Sequence, residues 1–186
     1  SLYRILDTVD FGNEYDFIAK IDNKDERYCI LEGYLFPATY EFEQGAEPGS
    51  VIRKFLNTFN SRWSEEYAAK ATELGMSVDE IITLASIVQM EGLTLSDFEN
   101  ISQVFHNRLK SKNLLKLESC ATVQYILEER HEIITEADTK INNPYNTYMY
   151  EGLPPGAICN PGINAIESSI FPAFDPQMLK DNNIKT

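Results

Sequence analysis

The chain has 186 residues, enough for one domain with a substantial core and short for two. Hydrophobic residues make up 43% of it, with 10 tyrosines and 10 phenylalanines, which excludes an intrinsically disordered chain. Its formal charge of −13 argues against nucleic acid and against an anionic membrane surface, while neutral polymers such as glycans stay open.

Cys29, Cys120 and Cys159 are too few and too scattered for a disulfide framework or a zinc site. Only His106 and His131 could add imidazole ligands, so no metal is expected. No run of 18 apolar residues and no signal peptide is present. The first residue is Ser rather than Met, which suggests a piece of a longer protein. The lack of a targeting segment therefore carries little weight.

In chain order, residues 1–27 are mixed, with helical turns near Tyr15-Asp16-Phe17-Ile18-Ala19-Lys20. Residues 31–42 are rich in aromatic residues and suit an extended segment. The alternation of Thr39-Tyr40-Glu41-Phe42 predicts a half-buried strand, and Pro37 keeps it at a sheet edge. After the loop at 44–49, Ser50 reads as the cap of a long helix over 51–73, with Ile52, Phe55, Leu56, Phe59 and Trp63 as its apolar stripe. A second helix fills 77–92. A third, over 97–110, opens on a capping box of Ser96 and Glu99 and turns Phe98, Ile101, Val104, Phe105 and Leu109 to the core. Residues 114–119 look extended and 122–129 helical, with Val123, Ile126 and Leu127 inward. Then come turn-rich runs around Asn142–Tyr148 and Gly152–Gly156, a short helix over 163–170, and a frayed tail near 181–183. The class expected is α+β: a helical core, a small antiparallel sheet and a long loop region rich in aromatics, Pro and Gly, in one domain spanning 1–186.

The stretch at 77–92 is the most informative. Ser77 and Glu80 form a capping box, and from Val78 to Met90 the helix is apolar on nearly every side, so it belongs inside a core. Glu91 stands in its last turn, at i+4 from Ile87 and i+7 from Leu84, with Gly92 as a C-terminal stop. The helix dipole and partial burial both disfavour an ionised acid there, and both would raise its pKa toward that of a general acid. The plainer reading is an exposed Glu at a helix end. Glu32 is a loop carboxylate or a support for a site. Tyr145-Asn146-Thr147-Tyr148 has the character of a sugar site, with flat rings to stack on pyranoses and polar groups to read their substituents, or of a turn with buried tyrosines. Arg108, beside Asn107, reads as a partner of the helix dipole. Ser86 and His106 lack the strained elbow that a nucleophile–base pair needs, and no phosphate loop, HExxH helix or GxSxG elbow occurs.

Five stretches together resemble one family. They are Leu31-Glu32-Gly33-Tyr34-Leu35-Phe36-Pro37-x-Thr39-Tyr40, Leu84-Ala85-Ser86-Ile87-Val88-x-x-Glu91, Val104-x-x-Asn107-Arg108-Leu109, Tyr145-Asn146-Thr147-Tyr148, and Gly152-Leu153-Pro154-Pro155-Gly156-x-Ile158-x-x-Pro161-Gly162. They are similar, in order and across residues 28–172, to the YceG-like endolytic murein transglycosylases of the MltG type. That resemblance implies an enzyme on the extracytoplasmic face of the bacterial membrane. It would cut nascent peptidoglycan strands at the MurNAc–GlcNAc bond and leave a 1,6-anhydro end, without metal or organic cofactor. It implies Glu91 as the catalytic acid, with Tyr145, Asn146, Tyr148, Asn107, Ser119 and Glu32 as candidates for holding substrate. It implies a membrane anchor and a LysM-like subdomain before residue 1, residues 1–27 being the remnant of a link to them, and peptidoglycan synthases as partners.

Three departures stand out. Gln89 takes the place of a frequent first Glu. Leu117-Glu118-Ser119-Cys120-Ala121-Thr122 replaces an LQSDPT-like stretch. Phe174-Asp175-Pro176-Gln177 leads to a tail without the family's aromatic strand. Two rivals stay open: a glycan-binding or division-scaffold module without catalysis, and a hydrolysing muramidase with Glu32 as second carboxylate.

Overall fold

The computed structural model describes residues 11–111, 115–127 and 129–172. Its helices are α1 (Asp16–Ala19), α2 (Pro48–Arg62), α3 (Glu65–Leu74), α4 (Val78–Glu91), α5 (Leu95–Lys110), α6 (Cys120–Ile126) and α7 (Ile163–Ile170). Short 3-10 turns occupy Phe11–Asn13, Lys24–Glu26 and Asp138–Lys140. The expected tail at 181–183, the stretch from Phe174 to Gln177, and residues 114 and 128 lie outside the described residues.

α4 is the axis of the molecule. It is buried without interruption from Ile81 to Val88 and packs against α3, α5, α6 and α7. Ile81, Ile82 and Ala85 face a core shared with Tyr34, Ile52, Leu56, Phe59, Ile166 and Ile170. Leu84, Ile87 and Val88 face a second core with Phe98, Phe105, Leu117, Tyr145 and Ile158. An all-round apolar helix can be stable only where both of its sides are covered, and each large side chain removed from water contributes about 1.5–3 kcal/mol. At its start Ser77 Oγ accepts the Glu80 N–H at 3.1 Å, and Glu80 Oε2 accepts the Ser77 N–H at 2.7 Å.

The expected antiparallel sheet is absent: no strand occurs among the described residues, and the domain is helical. Residues 31–42 show why. Gly33, at φ +95°, turns the chain so close to α4 and the 157 loop that a Cβ there would lie 2.6 Å from Ile82 Cγ2 and 2.7 Å from Ala157 Cβ. The Gly33 and Leu35 N–H groups both donate to Asn160 Oδ1, at 2.9 and 3.0 Å. Pro37 has no N–H, and the Phe36 carbonyl accepts from Tyr40 Oη. Tyr40 and Phe42 lay their rings on Phe55 of α2. The backbone donors are satisfied by a side chain, and the aromatics of the pattern pack on a helix instead of a neighbouring strand.

Helix boundaries also shift. The long helix expected over 51–73 is two, because the chain leaves helical geometry at Trp63 and Ser64 starts α3 by accepting the Tyr67 N–H at 3.2 Å. α2 begins at Pro48, so Ser50 lies inside its first turn and donates to the Glu47 carbonyl. Thr94 and Asp97, rather than Ser96 and Glu99, form the capping box of α5. α6 starts two residues early and stops at Ile126.

Candidate functional site

Glu91 emerges where α4 leaves the core. Burial ends at Val88, and Glu91 is exposed, so the expected partial burial of this carboxylate does not hold. Gln89 Oε1 instead accepts the Gly162 N–H at 3.0 Å and ties the end of α4 to the start of α7. Gly92 is not in the left-handed region (φ −99°). It is required by space, since a Cβ would lie 2.4 Å from Phe98 Cδ1.

Glu91 is held through one oxygen. Ser119 Oγ donates to Oε1 at 2.5 Å, and the Ala121 N–H donates to the same atom at 3.3 Å. Two donors on Oε1 make it the accepting oxygen. Ser119 is the N-cap of α6 and is 2% exposed. Residues 116–118 lead into it along α5, where Arg108 Nη1 donates to the Lys116 and Leu117 carbonyls at 3.1 and 2.6 Å and pairs with Glu118 at 3.3 Å. Arg108 thus anchors the wall of the site, beyond the dipole role read from sequence. Glu118, at φ +52°, is a non-glycine residue in the left-handed region, a strained conformation that only surrounding contacts can maintain.

An open cavity of about 350 Å³ lies beside Glu91, lined among others by Ile101, Val104, Phe105, Leu117 and Ser119. Val104, expected in the core, is 47% exposed and forms part of this wall. Its register on α5 is that of the apolar face, but that face extends past the core into the groove.

The Tyr145–Tyr148 run meets the site from the other side, with its side chains in different roles. Tyr145 is 1% exposed, with its ring against Tyr28 and Tyr125; burial pushes its phenol up to about 12. Asn146 is fully buried: its amide donates to the Thr139 and Ile141 carbonyls, and its oxygen accepts the Tyr148 N–H. Tyr148 is half-buried, its Oη 3.1 Å from Cys120 Sγ. Burial, the Cys120 contact and the charges of Glu118 and Glu91 hold its phenol up at about 12, so it is protonated near neutral pH. Thr147 belongs to the run read from the sequence but not to its substrate-holding candidates, yet it touches Ser119 directly (Ser119 N to Thr147 Oγ1, 3.0 Å). No local pattern announces this contact, because it spans 28 positions.

Two candidates lie apart from Glu91's contacts. Asn107 Oδ1 accepts from Gln103 Nε2 at 3.0 Å, and Asn107 is not among the groove-lining side chains. Glu32 is half-buried near Asn160, and burial raises its pKa. Among the described residues no group of three His, Cys, Asp or Glu could hold a metal ion.

Fold and site together define a helical domain with an exposed carboxylate, Glu91, fixed by two donors at the edge of an open groove, and a second, Glu118, paired with Arg108 in its wall. The chain belongs to the YceG-like family, which matches residues 4–179. It is 36% identical over 143 residues to the endolytic murein transglycosylase of Bacillus subtilis, covering 76% of this chain and 39% of that protein. It is 37% identical over 145 residues to the endolytic murein transglycosylase of Streptococcus pneumoniae serotype 2, covering 75% of this chain and 26% of that one. The crystal structure of a YceG-like protein from Listeria monocytogenes superposes with a TM-score of 0.75 at 28% identity, covering 94% of this chain and 63% of that one. The chain thus spans well under half the length of the two transglycosylases.

Proposed function

We propose that this domain is a lytic murein transglycosylase that cuts peptidoglycan strands within their length, with Glu91 as its acid and then its base. The observation that carries the reading is the contact of Ser119 Oγ with Glu91 Oε1, which fixes this carboxylate at the groove and leaves Oε2 for the proton, while the groove's other carboxylate, Glu118, is paired with Arg108. Glu91 donates that proton to the glycosidic oxygen as the C1–O bond of MurNAc breaks. The resulting carboxylate takes the proton of the same sugar's 6-hydroxyl as that oxygen attacks C1, closing the 1,6-anhydro ring. The second group that hydrolysis takes from another carboxylate comes here from the substrate.

In this reading Ser119, on the groove wall, and Tyr148, beside Cys120 of that wall, meet the sugar, and Tyr145 and Asn146 shape the loop that carries Tyr148. Asn107 and Glu32 have supporting roles at most, given their partners. The cell-wall setting, the membrane tether and the neighbouring synthases belong to the same proposal. The cell-wall setting rests on the names of the relatives, and the tether and the synthases only on the motif resemblance.

Mass spectrometry of digested peptidoglycan tests the reading. Anhydromuropeptides are expected from the intact protein and are lost in Glu91→Gln. Reducing ends would instead indicate hydrolysis. Binding without any product, unchanged by Glu91→Gln, would reduce the domain to a glycan-binding module.

A further inference from the structure

We infer that Thr147 is a positioning residue, which sets the geometry of Glu91 through a closed ring of hydrogen bonds joining two threonine hydroxyls to the Ser119 backbone. This rests on Glu91 being the reacting carboxylate, as proposed above.

The ring has one consistent proton order. Thr122 Oγ1 lies 2.8 Å from the Ser119 carbonyl, which can only accept, so the Thr122 proton points there. Thr147 Oγ1 is 2.8 Å from Thr122 Oγ1, whose proton is already committed, so Thr147 donates to Thr122. Thr147 Oγ1 then accepts the Ser119 N–H at 3.0 Å. The three residues are 2% exposed or less, so no water competes for these bonds. With its backbone held on both sides, Ser119 has its own hydroxyl proton left for Glu91 Oε1.

Thr147 also acts on the strained residue next door. Its carbonyl accepts the Glu118 N–H at 3.1 Å while its hydroxyl takes the Ser119 N–H. Two successive donors of the wall segment are thus held by one residue, at the point where Glu118 adopts φ +52°. Without the hydroxyl, the Ser119 N–H is a buried donor with no partner, and the segment gains by rotating away from it. The Ser119 and Ala121 donors would leave Oε1 together.

Valine is close to threonine in shape and lacks both hydroxyl functions; serine keeps them. In the intact protein, Thr147→Val is expected to lower kcat on glycan strands by about tenfold or more, the scale of a charge-assisted hydrogen bond, with KM within twofold. Thr147→Ser is expected to restore most of that loss. The Ser119→Ala/Thr147→Val double variant is expected to lose clearly less than the two single losses multiplied together, because both remove the Ser119 contact and only the Ala121 donor is left for Thr147→Val to take away. Amide exchange at Ser119 and Ala121 is expected to quicken in Thr147→Val while exchange across α4 stays slow. Wild-type kcat in Thr147→Val, additive losses in the double variant, or a Thr147→Ser as slow as Thr147→Val each overturns the relay. If the intact protein cuts no glycan, the transglycosylase reading fails, and amide exchange alone decides the relay: unchanged protection at Ser119 in Thr147→Val sinks it.

Discussion

Ser119 Oγ and Glu91 Oε1 stand 2.5 Å apart, joining the end of the most buried helix to the start of one of the shortest. Removing this hydroxyl takes away a bond of about 1.5–3 kcal/mol, since one partner is a carboxylate. Ser119→Ala is therefore predicted to slow strand cleavage by about tenfold to a hundredfold with the fold intact. Product formation by mass spectrometry and the thermal midpoint measure the two parts. Full activity in Ser119→Ala would remove the support for a fixed Oε1.

Glu32 supplies a pH-dependent prediction. Burial raises its pKa above the unfolded value, so the folded state holds the proton more tightly. Stability then falls as pH rises from the unfolded carboxylate range through the raised folded value. Glu32→Gln is predicted to raise the thermal midpoint at pH 7, with the gain disappearing below about pH 4, where the carboxyl is protonated in both states. A midpoint lowered at pH 7 would contradict this. The same variant bears on the muramidase rival: if Glu32 is a second catalytic carboxylate, cleavage stops in Glu32→Gln, whereas the single-acid reading expects anhydro products to persist.

Asp79 lies in the first turn of α4, where it pairs with Arg27 and accepts Tyr34 Oη at 2.6 Å. The Arg27 side chain is 1% exposed, and a Cβ on Gly156 would press against it at 2.9 Å. Truncating one partner leaves a buried guanidinium without a counter-charge. Asp79→Ala is predicted to cost about 3–5 kcal/mol, read from urea unfolding. A loss below about 1 kcal/mol would mean that water reaches Arg27.

Gly92 and Phe98 are in close approach just after α4. Gly92→Ala forces the Phe98 ring to move, and overpacking of this kind costs about 1–3 kcal/mol. Thermal unfolding checks the stability. Because Phe98 belongs to the core behind the groove, cleavage is predicted to fall as well.

Val104 should matter for substrate and little for stability. It is an exposed apolar side chain on the groove wall, so Val104→Asp is predicted to raise KM for glycan strands by about threefold or more, with a thermal midpoint shift under about 2 °C. An unchanged KM would place the strand elsewhere.

The sequence by itself determined the elements that local chemistry specifies. The Ser77–Glu80 box, the unbroken apolar run behind it and the acid at its end were legible because each depends on neighbours within a turn or two. Five short motifs sufficed to point to the family. Tertiary structure decided what depends on distant partners. Asn160, more than 120 positions away, takes the donors of residues 33 and 35, so an extended pattern forms no sheet. Asn146 and Tyr145 are polar or aromatic enough to bind sugar, yet packing turns both inward. Thr147 lies in a legible run, but its own role comes from two backbone N–H groups and one hydroxyl 25 to 29 positions away. Side-chain type and spacing record what a residue can do, but which backbone donor it meets is fixed only when α4, α5 and α6 close around it.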